Sequence, residues 1–157
     1  MNNIDKFSAY TAKIFAKLYA AFPQPIAFDA AEIANNQSIK GSGPDGAVSM
    51  KDLQAATRDP DIVFCADTFR WLYETGYFSG QMSEYGVRVT NAVLTPKSFE
   101  ALAAIPDVLK SRQPLGQQLT DLAKATASDA VTGGVSQIVG QVIGAAFRGF
   151  VGPPAGS

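Results

Sequence analysis

Chemistry at a protein site needs nucleophiles, bases or metal ligands at workable spacing, and this sequence offers few of each. It contains no histidine and one cysteine, Cys65. Without histidine, a Ser–His nucleophilic pair, a His-bearing zinc site and an imidazole pH switch are excluded from these residues. One cysteine excludes an intramolecular disulfide and a CxxC metal site. Cys65 falls on the apolar face of a helical pattern, where a free thiol behaves as a small hydrophobe. Hydrolytic chemistry is then left with Ser–Lys or paired carboxylates. The acid pairs Asp59/Asp61 and Asp45/Asp52 each have a capping or loop explanation. The expectation is a protein that is not an enzyme, with no cofactor and no metal.

One glycine-rich stretch, Gly41-Ser42-Gly43-Pro44-Asp45-Gly46, has to be weighed as a ligand loop. It is no phosphate loop, because no Gly-Lys-Ser/Thr follows it. Set against a calcium loop, Asp45, Gly46, Val48 and Asp52 occupy the fifth, sixth, eighth and twelfth places. The first and third places are Gly41 and Gly43, which bring no carboxylate, and the twelfth prefers Glu. A loop followed by a short helix capped by Ser49, with Met50, Leu53 and Ala56 on one face, accounts for it better.

Composition narrows the partners. With 157 residues and 46% apolar content the chain can bury one real core. Thirteen basic and fourteen acidic residues leave a net charge of −1, so there is no broad pull toward nucleic acid or anionic membrane. The N-terminal MNNIDKFSAYTAKIF lacks the basic flank and continuous apolar core of a secretion signal, which makes the cytoplasm the expected location.

The elements that must position any site follow from periodicity. Ile4, Phe7, Ile14, Phe15, Leu18 and Phe22 recur at helical spacing and predict a first helix ended by Pro23 and Pro25. Asp29 and Glu32 have the spacing of a capping box, predicting a short second helix to about Ala34. Residues 35–58 read as a flexible insertion. Asp59-Pro60 opens a longer helix, with Ile62, Cys65, Ala66, Phe69, Leu72 and Tyr73 on its face and Gly76 as its stop. Gly80 and Gly86 read as turn residues, and Val87, Val89 and Val93 at alternate positions predict a half-buried strand of a hairpin. Thr95-Pro96 starts another helix, closed by Pro106.

The order helix, hairpin, helix in Asp59–Pro106, and the phrase Leu94-Thr95-Pro96-Lys97-Ser98-Phe99-Glu100-Ala101-Leu102 within it, resemble winged-helix domains of bacterial or phage type. The resemblance covers about residues 4–106. It implies a mainly α fold with a small β-hairpin over 1–106. After Pro106 the composition changes, which predicts a polar linker at 107–114, a helical tail at 115–151 as one long helix or two shorter ones, and a frayed end at 152–157. In the tail, Gly133-Gly134 marks a break, since a helical glycine costs about 1 kcal/mol against alanine. Beyond it Ile138, Val142 and Phe147 lie on an apolar stripe, and Gly140 and Gly144 form a pair that permits close helix approach.

Three uses of such a chain are open. The first is a protein-binding or self-associating module, with Trp71 and Arg70 as anchors and the tail (Ile138, Gly140, Val142, Gly144, Phe147) forming a homodimer interface. The second, implied by the winged-helix resemblance, is a DNA-binding regulator using Arg70 and Arg88. Residues 1–105 hold nine basic against eleven acidic residues, which disfavours it. The third is peripheral membrane association through the tail. A transmembrane segment needs about 20 mostly apolar residues, whereas the run Val135–Val151 includes Gln137, Gln141 and Arg148.

Overall fold

The computed structural model describes residues 2–35, 49–103, 114–125 and 137–144. The glycine loop of the insertion, the linker, Gly133-Gly134, Phe147 and the end of the chain lie outside the described residues. The fold is mainly helical with a small three-stranded antiparallel sheet.

The first four helices begin where a side chain takes up a free backbone N–H. Asn2 accepts from the Asp5 amide and opens α1 (Asn3–Ala21). After β1 (Ile26–Asp29), the Asp29 carboxylate accepts from the Glu32 amide at 2.8 Å and opens α2 (Ala30–Asn35). Ser49 opens α3 (Met50–Ala56), and Asp59 with Pro60 opens α4 (Pro60–Glu74), both as expected from the sequence. At its far end Gly76 takes a φ of +79°. The Gly76 and Tyr77 amides turn back onto the carbonyls of Tyr73 and Leu72, closing the last turn.

The hairpin consists of β2 (Phe78–Met82) and β3 (Arg88–Leu94). Two points differ from the sequence reading. Ile26–Asp29, expected to lead directly into a helix, forms an edge strand on β3, giving the order β1-β3-β2. Gly80 lies inside β2, not in a turn. A Cβ there would come within 2.9 Å of the Thr90 carbonyl, so glycine lets the strands approach.

The reason for that approach is a bulge in β3. Between Val89 and Ala92 the strand advances three residues while β1 advances two, from Phe28 to Ile26. It gains the same extra residue against β2, between the Ser79–Val93 and Gln81–Thr90 pairs. Asn91, at φ +51°, sits in this interval. The inward face therefore runs Val89, Ala92, Leu94. The simple alternation expected through Val93 breaks here, because one extra residue moves the following side chains to the other face.

The core lies between α1, α4, the sheet and the later helices, around Phe15, Phe69, Phe78, Leu18, Leu72 and Leu102. Each such side chain contributes about 1.5–3 kcal/mol by leaving water. Ile4 and Phe22, expected on the core face of α1, lie outside it. Ile4 is 71% exposed, and Phe22, at the C-cap, stacks on Phe99 of α5 (Pro96–Ala103) with ring centres 4.3 Å apart.

The tail belongs to the same core. In α6 (Leu115–Ala125), Leu115 and Leu119 are buried against the rest of the chain. Gly116 faces the Tyr19 ring so closely that a Cβ would stand 2.6 Å from it. Residues 137–144 are also helical, here called α7, and insert Ile138, Val139 and Val142 into the core.

Candidate interaction surface

α4 has two faces. Ile62, Cys65, Ala66, Phe69 and Leu72 point inward and are buried. Val63, Asp67, Arg70 and Glu74 recur at three- and four-residue spacing on the outer side, and all are exposed. At 100° per residue, Trp71 and Tyr73 flank this outer stripe on opposite sides. Trp71 is 42% exposed and Tyr73 43% exposed.

Trp71 is exposed and yet held. The Phe7 ring of α1 meets it edge-on at 5.3 Å, and the buried Tyr77 ring lies nearly parallel to it at 5.8 Å. On the other flank, Tyr73 leans on Phe78 of β2 at 6.0 Å. Nearer the start of α4, Lys6 pairs with Asp61 and sits 5.5 Å from the Phe64 ring centre, pinning α1 to α4. The surface is therefore preorganised by packing beneath it.

The charges on this surface are mixed. The Arg70 guanidinium lies 3.6 Å from Asp67, one turn earlier on α4. It also borders the β2–β3 turn, 3.5 Å from where a Cβ on Gly86 would sit. Arg88 is half-buried on β3, with Asp29 as its partner in register on β1. At the turn, Glu84 and Tyr85 are exposed. A base already drawn to a carboxylate, one turn from Glu74 on the same helix, makes a poor phosphate-binding face.

The structure does not gather the expected binding residues into one place. Trp71 and Arg70 share α4. Ile138 and Val142 are buried in the core of their own chain, so as placed they do not offer an apolar stripe to a second copy. The physical reason is that the stripe finds the apolar surface it needs within its own domain. Gly140 is exposed and Gly144 half-exposed, and a Cβ on either would meet nothing within 4 Å. Among the described residues no helix is long and apolar enough to cross a membrane.

The groups with perturbed acidity are inward-facing. Burial pushes the Cys65 thiol up, against a smaller opposing influence of Lys13, so at neutral pH it is a protonated, inert thiol. Burial, then the nearby Asp61, raises the Tyr10 hydroxyl to about 12. No group of three or more His, Cys, Asp or Glu among the described residues is placed to hold a metal. The Oγ1 of Thr11 and the Oε1 of Gln141 are buried with no hydrogen-bond partner among the described residues. Sequence reasoning passed over Val63, which spacing alone sets off the inward stripe of α4. It placed Tyr73 with the inward residues, and the structure corrects this: in the last turn of α4, Tyr73 is 43% exposed and leans on Phe78. Comparison with protein families, curated proteins and solved structures found no match.

Proposed function

We propose that this chain is a non-enzymatic protein-binding module on a winged-helix-like scaffold, and that the outer face of α4 is its contact surface. The order helix, strand, helix, two helices, hairpin, helix supports the scaffold reading. The observation that carries the binding reading is Trp71, exposed on α4 and braced by Phe7 and Tyr77, with Arg70 beside it. A rigid, partly exposed Trp next to Arg is the composition of an interface hot spot. In this reading the tail completes the domain core, and the partner meets α4.

The test is comparative retention of proteins from a cell lysate on wild type, Trp71→Ala and Arg70→Ala, with the thermal midpoint of each variant as control. A protein held by wild type and lost by both variants, with each variant's thermal midpoint well above the assay temperature, supports the surface. An identical retained set on all three refutes it.

A second reading, DNA binding, draws on the same element order. It predicts that fluorescence anisotropy with mixed duplex DNA at low salt detects binding that weakens steeply as salt rises. The acidic and ion-paired groups on α4 lead us to expect no change in anisotropy.

A further inference from the structure

Tyr77 touches two parts of the molecule that are far apart in the chain. Its ring lies against Trp71, with the planes 17° apart. Its hydroxyl donates to the backbone carbonyl of Ile143, 66 residues on, at 3.5 Å. Tyr77 is itself immobilised. It is buried, the Lys97 ammonium sits 4.3 Å from its ring centre, and its carbonyl accepts from the Ser98 hydroxyl. Ile143 comes within reach because the preceding residues Ile138, Val139 and Val142 enter the core. Among the described residues α7 is docked by Ile138, Val139, Val142 and the partly buried Ile143, with one long hydrogen bond from Tyr77, and so light a set of contacts belongs to the low-stability end of a fold. Its docking site adjoins the support of the exposed Trp.

We propose that α7 is a strap that sets the pose of Trp71 through Tyr77, so that strap docking and engagement of the α4 face are thermodynamically linked. A partner that needs Trp71 in its stacked pose tightens the strap, and release of the strap weakens that partner. Linkage makes the effect reciprocal. Its functional meaning rests on the α4 reading above, whereas the linkage itself can be measured without any partner.

Trp71 is the only tryptophan, so its emission and acrylamide quenching report one site in the full chain. Hydrogen exchange of the 137–144 amides reports the other. With Trp71→Ala, those amides are expected to exchange about fivefold faster, at the low end of typical coupling between sites, over and above any acceleration shared with the α1 and α4 amides. With Val142→Asp, which expels the strap, Trp71 emission shifts to longer wavelength and quenching rises. Should that variant fail to fold, Tyr77→Phe keeps the ring stack and removes only the hydroxyl link, and faster exchange at 137–144 together with altered quenching is expected. Unchanged 137–144 exchange in Trp71→Ala overturns the proposal, as does unchanged quenching in the variant with a loosened strap. Acceleration shared equally by α1 and α4 also overturns it, being a loss of global stability. Intact linkage with no partner lost in Trp71→Ala would remove the α4 reading and leave the strap.

Discussion

α4 and α7 are both amphipathic helices with one face in the same core, and they differ in what is left outside. α4 buries Phe69 and Leu72 and leaves Trp71, Tyr73 and Val63 toward water. α7 buries Ile138, Val139 and Val142 and leaves Gly140 toward water, with Gly144 half-exposed. An apolar stripe at helical spacing therefore says that a face is buried and nothing about what covers it. The informative residues are the large apolar ones that fall off the stripe, because burial in the chain's own core does not account for them. By that criterion α4 is the surface to test.

The comparison can be broken at its strongest point by truncating the two aromatic side chains of α4 separately. Phe69→Ala, on the inner face, should destabilise the fold by about 3–5 kcal/mol. Trp71→Ala should lose only about 0.5–1.5 kcal/mol of ring packing. Denaturant unfolding of both variants measures the gap, and equal losses would mean that Trp71 is a core residue in solution.

A middle-sized effect tests whether the tail belongs to the domain. Gly116→Val would drive a side chain into the Tyr19 ring, and it should destabilise by about 1–3 kcal/mol. The same unfolding transition must report the loss, since α6 shares the core. A variant as stable as wild type would detach the tail from the domain in solution.

The smallest effect sharpens the α7 side. Gly140→Ala meets open space, so it should stabilise by up to about 1 kcal/mol through helix propensity alone. Its mass in solution should equal that of wild type by light scattering. A change of mass would return the glycine pair to a helix–helix interface between copies.

Much of the fold was legible because its punctuation is local. Asp59-Pro60, Ser49, Asp29 with Glu32, and Gly76 each act within a few residues, and each stands where the sequence placed it. β1 was not legible. Four residues after Pro25 carry no periodicity of their own, and only pairing with β3, some sixty residues later, makes them a strand. The surface was half legible. Trp71 and Arg70 could be set off the inward stripe of α4 from spacing alone. The role of Tyr77 could not, since one of its two contacts, Ile143, lies 66 residues on. The destination of the α7 stripe was hidden for the same reason: hydrophobic spacing carries no address.

The bulge at Asn91 has a consequence for how the hairpin can vary. β3 is two half-strands of opposite parity joined by one left-handed residue, with Val89 in register on one side and Ala92 and Leu94 on the other. Length changes in the loop that carries Tyr85 leave the base of the hairpin in phase. Deleting the single residue Asn91 would remove the extra residue and leave Val89, Ala92 and Leu94 at plain two-residue spacing on the same face. The hairpin can thus change length at its tip, or lose its bulge residue, with its inward face still in phase.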